Sequence, residues 1–285
     1  MKLSRFSLFS LLLVVSLTTG CGVINRIRAK NALNEGAKAY REGNFAEAEE
    51  KFRYAVELDP SQERTPLFVA RAVQQQYKPG VNTPENVAKG QAAIQAYQDI
   101  LNRDPNNEDA YKAIVYLYGQ MKNEDKVREM LTQRASLASI PNEKRAEALT
   151  ILASKQGKCS YDITEQKENK EQKNTTENGQ TKIVYVYKKP ANQADFDMAR
   201  RCVEDGLKLS EQAVQLAPDS SSAWSAHASL LREATKVAEM DGNAEAKAQR
   251  EQQYQQALET AKRLTEEAER KKEAEAAQSP TPAAS

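Results

Sequence analysis

One histidine and one tryptophan occur in the 285 residues, and three cysteines. A single histidine, His227, leaves no second imidazole for a histidine pair, and three cysteines are too few for a cysteine-rich metal framework. Neither sign of charge dominates: 41 Lys and Arg stand against 40 Asp and Glu, so the basic footprint of a nucleic-acid binder is missing. No GxxxxGK phosphate loop and no GxSxG elbow occurs. Carboxylates are plentiful, but they are mixed with Lys and Arg on helix-forming stretches, the pattern of solvated faces. His227 falls where a repeat helix meets its neighbour, which reads as a packed residue. These absences point away from an enzyme, a metal site, a cofactor or a small-molecule substrate.

The long apolar runs are also few. The chain opens "MKLSRFSLFSLLLVVSLTTG", with Lys2 and Arg5, twelve apolar-rich residues from Phe6 to Leu17, and then Thr18, Thr19 and Gly20. A bilayer-spanning helix needs about 20 apolar residues, so this layout reads as a cleaved export signal over 1–20. Cys21 follows directly, and "LTTGC" resembles the lipobox of bacterial lipoproteins, with Thr18 where that family usually has Leu. The resemblance implies that Cys21 becomes a lipidated N-terminus; the other reading is an ordinary secretory signal with an incidental cysteine. Each buried methylene of an acyl chain contributes about 0.8 kcal/mol to membrane binding. Gly22, in place of the Asp that marks inner-membrane retention, points to the outer membrane facing the periplasm. Loss of Lys2 and Arg5 with the signal leaves 39 basic and 40 acidic residues. Arg26, Arg28 and Lys30 form a basic cluster just after the anchor, the first two in the short linker 21–29, and lie either against anionic head groups or in a solvated first helical turn.

From residue 30 the chain is helical and repetitive. "NEGAKAYREGNFAEAEEKFRYAVELDP" (34–60) divides at Gly43-Asn44 into two helices with apolar residues three and four apart. Pro60 stops the second. These residues are similar to the tetratricopeptide repeat: Gly36, Tyr40, Ala48, Phe52, Ala55 and Pro60 match its signature, while Ala32 and Glu35 replace its first-helix Trp and Leu. "QAAIQAYQDILNRDP" (91–105) repeats the second helix after a Pro/Gly-rich loop, "YKPGVNTPENV". "DAYKAIVYLYGQMKNEDKVREMLTQRA" (109–135) gives a third unit with Tyr111, Ile114, Tyr118, Val127 and Leu131 inward. A fourth begins at 142–158 and resumes at 202–224, with Pro218 and Trp224 at signature positions. The fifth runs from Ala223 through a turn at Asp241-Gly242-Asn243 into a polar helix over 244–274, fit to cap a solenoid. The expected fold is therefore an all-α superhelix of tetratricopeptide type. Repeats occupy 30–158 and 191–272, and a disordered Pro/Ala/Ser tail occupies 273–285.

Residues 159–190 belong to no repeat. "SYDITEQ" and "KIVYVYKK" alternate at period two, and the polar linker between them carries Asn178-Gly179, so an antiparallel β-hairpin with a long mobile tip is expected. Its apolar residues either pack on the helices or present a partner-binding edge. Cys159 and Cys202 flank it at one end of a helical hairpin. An oxidising compartment favours a disulfide between them over two buried thiols.

The resemblance implies a groove lined by the first helix of each repeat and holding proteins or peptides. By signature position it presents Ala37, Tyr40 and Arg41, then Val69 and Val73, then Lys112, Tyr116 and Gln120. The carboxylate clamp of the chaperone-binding members is missing, since Leu33, Ala37 and Pro66 occupy its positions. The expectation is an envelope scaffold that recruits proteins to a membrane for outer-membrane, secretion or pilus assembly. A permanent subunit of a large complex and an exported enzyme of unfamiliar site remain the alternatives.

Overall fold

The computed structural model describes residues 5–177 and 180–278. Within them ten helices and one two-stranded sheet follow in order: α1 Arg5–Arg41, α2 Phe45–Leu58, α3 Thr65–Gln75, α4 Pro84–Arg103, α5 Glu108–Gln120, α6 Glu124–Ser136, α7 Asn142–Thr164, β1 Lys170–Glu177, β2 Gln180–Tyr187, α8 Gln193–Leu216, α9 Ser221–Met240 and α10 Ala244–Gln278. This is an all-α fold of helical hairpins carrying a β-hairpin insertion. Two compact units divide inside α6, one ending at Val127 and the other beginning at Arg128.

In the first unit, α1 and α2 are joined by a turn in which Gly43 has φ +81°, the left-handed conformation that ends a helix. Asn44 N–H closes it onto Ala39 C=O at 2.9 Å. The pair packs closely because Gly36 has no side chain: a Cβ there would lie 2.7 Å from the Phe52 ring. Phe52 also meets Phe68 of α3, with ring centroids 5.6 Å apart, carrying the core into the next hairpin. The loop before α4 is fixed by buried Asn86. Its Nδ2 donates to Lys78 and Val81 C=O, and its Oδ1 accepts from Lys78 N–H, all at 2.8 Å. Pro84 opens α4, so the last four residues of the expected loop, Pro84 to Val87, are its first turn. Asn107 caps α5 by accepting from Ala110 N–H, and Ala110, Tyr111, Ile114 and Leu117 form its buried face.

The second unit is built on two long helices, α7 and α8, whose Cys159 and Cys202 Sγ atoms are bonded, with Cα atoms 6.0 Å apart. Both cysteines lie inside their helices rather than in the flanking turns. Its core gathers Phe196, Val203 and Leu207 of α8 with Leu230, Leu231 and Val237 of α9 and Ala257 of α10. Gly206 permits this packing: a Cβ there would meet Leu230 Cδ2 at 2.4 Å. Asp241-Gly242-Asn243 forms the expected turn, with Gly242 at φ +71°.

The insertion differs from its expected outline. "SYDITEQ" is not a strand: residues 160–164 continue α7, because Ser160, Ile163 and Thr164, three and four apart, all turn toward the unit's interior. The polar linker forms β1 instead and pairs with β2 from Lys170↔Tyr187 to Glu177↔Gln180, which replaces the expected long mobile tip with a continuous ladder. A ribbon exposed on both faces does not require apolar residues in both strands, so the alternation rule had nothing to detect there. Asn178 and Gly179 lie outside the described residues, as do the tail from residue 279 and the Cys21 side chain with those of the signal segment. The α10 helix extends to Gln278, six residues beyond the expected repeat boundary. Among the described residues no helix is long and apolar enough to cross a membrane.

Candidate functional site

Each unit carries a cleft between its helices. In the first, Tyr40 and Arg41 occupy the last turn of α1, and Phe68 and Arg71 face them from α3. With Ala37 and Phe52 they line a cleft of about 250 Å³. Arg71 Nη2 reaches Asp109 Oδ2 of α5 at 2.9 Å, which ties α3 to α5. Lys112 and Tyr116 follow Asp109 by three and seven residues, so they share its helix face. Tyr116 is 50% exposed and Phe68 37%. Beneath this face the Tyr97 hydroxyl donates to Gln74 Oε1 at 2.6 Å, and burial pushes the phenol above its usual range. Lys112 pairs with Glu108 at 3.8 Å, and Gln120 is half-buried.

Val69 and Val73, expected on this face, are buried at 6% and 4% exposure. Val69 instead lines a second cleft with Arg53 of α2 and Asp99 of α4. The α3 positions at the expected face are Phe68 and Arg71, offset from the anticipated pair by one and two residues. Val69 and Val73, four apart, lie with Ala70 and Ala72 on the apolar stripe that packs α3 into the core, so the open face falls to Phe68 and Arg71. The helix starts at Thr65, after a turn set by Asp59 and Pro60. The Asp59 carboxylate accepts from Ser61 and Gln62 there, and these hydrogen bonds hold its carboxyl below the usual range.

In the second unit, α7 and α9 enclose a cleft of about 490 Å³ lined by Gly157, Tyr161, Leu230, Glu233 and Lys236 among others. Along it runs an ionic network that sequence reasoning missed. Glu233 Oε2 accepts from Ser160 and Thr164 hydroxyls at 3.0 and 2.9 Å. The Lys236 ammonium donates to Glu233 Oε1 and to Glu165 Oε1, and it lies 5.1 and 5.0 Å from the ring centroids of Tyr161 and Tyr187. Glu165 also accepts from Lys170 Nζ at 2.6 Å and Tyr187 Oη at 2.7 Å. Burial acts to raise the Glu165 pKa, but the donors Lys170, Lys236 and Tyr187 together outweigh it and hold it at about 2. The signal was available: Glu233 and Lys236 fall at helical spacing with Leu230 and Val237, on an otherwise apolar stripe of α9.

His227 lies between α8 and α9. The Ser210 hydroxyl lies 3.0 Å from Leu207 C=O and 2.9 Å from His227 Nδ1, so it is within hydrogen-bond reach of both. Burial lowers the pKa of His227, and Trp224 stands edge-on to it. Among the described residues no cluster of three or more His, Cys, Asp and Glu is arranged to hold a metal ion.

No family model matches the chain, and no curated protein does. Solved structures with similarity include a MamA protein, at 12% identity and TM-score 0.40 over 84% of this chain and 94% of that one. A tetratricopeptide repeat protein from Parabacteroides merdae shows 11% identity and TM-score 0.35 over 83% and 97%. PilF of Pseudomonas aeruginosa shows 12% identity and TM-score 0.34 over 85% and 99%. Likenesses this distant say nothing about function. The α1–α2 hairpin, closed by Gly43 and packed through Gly36 and Phe52, has the helix-turn-helix form expected of the repeat.

Proposed function

We propose that this chain is a protein-interaction scaffold of a bacterial envelope, exported by its N-terminal signal and held to the outer membrane through lipid on Cys21. It recruits partner proteins for envelope, secretion or pilus assembly. The observation that carries the binding role is the row of rings and guanidinium groups across α1, α3 and α5: half-buried Tyr40 with exposed Arg41, Phe68, Arg71 and Tyr116. Tyrosine and arginine dominate binding hot spots because each joins a large contact area to a polar end. The row rests on a core that fixes its spacing, so a partner segment meets little reorganisation on binding.

The test is crosslinking and affinity capture from the native envelope with the full chain beside an Arg41→Ala/Tyr116→Ala variant. Loss of a defined partner set, with the helical content unchanged, supports the reading. Retention of the same partners by the variant removes this face as the site. Conversion of Cys21 to Ala should move the exported protein from the membrane to the soluble fraction, and continued membrane association would overturn the anchor.

A further inference from the structure

We propose that the free edge of β2 is a docking site at which an extended, acidic segment of another protein adds as a third strand. This stands on the hairpin alone and does not depend on the face formed by α1, α3 and α5.

The ladder determines which backbone groups are free. Lys188 N–H donates to Asn169 C=O at 2.7 Å, so that pair is a hydrogen-bonded one. In an antiparallel ladder hydrogen-bonded and non-bonded pairs alternate. Glu171↔Val186 and Lys173↔Val184 are then bonded, and the amides of Thr181, Ile183 and Tyr185 point away from β1. Among the described residues the sheet has two strands only, so no third strand lies beside that edge.

Exposed edges are normally blunted by proline, a bulge, a very short strand or lysines, because an open edge recruits other chains. β2 is eight residues long, proline-free and paired without a bulge, and only lysines guard it: Lys182 within the strand and Lys188 and Lys189 just after it. Its side chains are exposed on both faces, Ile183 at 60%, Tyr185 at 51% and Val184 at 37%. The base of the hairpin is treated in the opposite way. Tyr187 and Lys170 are bonded to Glu165, Asn169 Nδ2 donates to Ile163 C=O at 2.8 Å, and Pro190 is buried. An isolated two-stranded hairpin is marginal in water. Fixing its base therefore orders the strand before anything binds, which lowers the cost of adding a partner strand.

Charge selects the occupant. Residues 170–189 contain five lysines and two glutamates, and from Gln180 to Lys189 every charged residue is a lysine. Lys170 is paired with Glu165 and Lys188 with Glu171, and the segment still keeps an excess of three positive charges, five lysines less two glutamates. A second copy paired antiparallel on the same edge about Tyr185 would bring Lys182 against Lys188, and like charges opposed across strands destabilise pairing. An extended segment with acidic side chains flanking alternate apolar ones complements both the charge and the Ile183/Tyr185 row.

The test uses the full, lipidated chain in its native envelope with p-benzoylphenylalanine in place of Tyr185, and maps each photocrosslinked peptide by mass spectrometry. The expected product is a segment of a different protein, acidic and alternately apolar. Its yield should fall about tenfold in an Ile183→Pro background, since proline removes an outward amide from an edge strand without breaking the inner ladder. Hydrogen exchange at Val184 and Val186 reports whether the hairpin is intact; should Ile183→Pro melt it, Thr181→Pro at the far end of the ladder takes its place. Crosslinks to a second copy of this chain, to lipid, or to a basic or helical segment would overturn the proposal. So would no crosslink at all, or a yield unchanged by proline.

Discussion

Glu165 and Lys236 are 71 residues apart in the chain and 2.7 Å apart in space. The Lys236 side chain is 5% exposed and that of Glu233 beside it 7%, so this cation is the buried counter-charge of two carboxylates. Removing one member of a buried pair leaves an uncompensated charge, which costs about 3–5 kcal/mol. Lys236→Met is expected to destabilise the second unit by that amount in urea unfolding. A loss below about 1 kcal/mol would show that the network is wet and weak.

The same network gives the second unit a pH dependence. Glu165 has a folded pKa of about 2 against an ordinary value of 4.5, so its ionised form is favoured by folding. A depressed carboxyl contributes its full stability above the unfolded value and loses it as pH falls toward the folded one. Between pH 4.5 and 2 the wild type should therefore lose its advantage over Glu165→Gln, and the two stabilities should converge near pH 2. Thermal unfolding followed across that window measures it, and parallel curves for the two proteins would contradict the assignment.

The bond between Cys159 and Cys202 spans a separation of 43 residues. Loop-closure entropy for a bond of this span sets a contribution of roughly 4 kcal/mol, reduced here because α7 and α8 pack along their length. A Cys159→Ala/Cys202→Ala variant should lose about 2–4 kcal/mol from the second unit. Trp224, the only tryptophan, lies in that unit, so its fluorescence follows the change there selectively. An unchanged midpoint would mean that helix packing alone holds the pair.

Two glycines of the first unit should respond in opposite directions to the same substitution. Gly36→Ala places a methyl 2.7 Å from the Phe52 ring, and that ring is backed by Phe68, so about 1–3 kcal/mol of stability is lost to overpacking. Gly119 is exposed on α5, and a Cβ added there would meet nothing within 4 Å, so Gly119→Ala should gain about 0.5–1 kcal/mol from helix propensity. Denaturation of both variants decides the matter, and equal effects would refute the packing argument.

Most of the helices could be read from sequence because their boundaries are written in local chemistry. Gly43 and Gly242 end helices, Pro60 follows the end of another, and Phe52, Tyr97 and Ile114 are buried residues that helical periodicity picks out. Tyr40 and Arg41 line the cleft between α1 and α3, and Lys112 and Tyr116 share the helix face of Asp109. Three features escaped. β1 is polar because neither face of the hairpin is a core. Val69 and Val73 are not on the open face because, four apart and apolar, they belong to the stripe that packs α3 into the core. The Glu165–Glu233–Lys236 network pairs residues from two distant helices, and no local pattern announces such a pair. The buried charges on α9 were its one visible trace.

That long-range closure also sets an order of events during synthesis. Chains emerge and fold from the N-terminus, so the hairpin is complete while α9 is still to come. Until Lys236 arrives, Glu165 has only Lys170 and Tyr187 as donors, and β2 waits with an open edge on an unfinished base. The hairpin precedes α8 in the chain, yet it is fixed only after α9 has been made. A chain arrested before Lys236 would display a loose strand, and this interval is when a chaperone has most to protect.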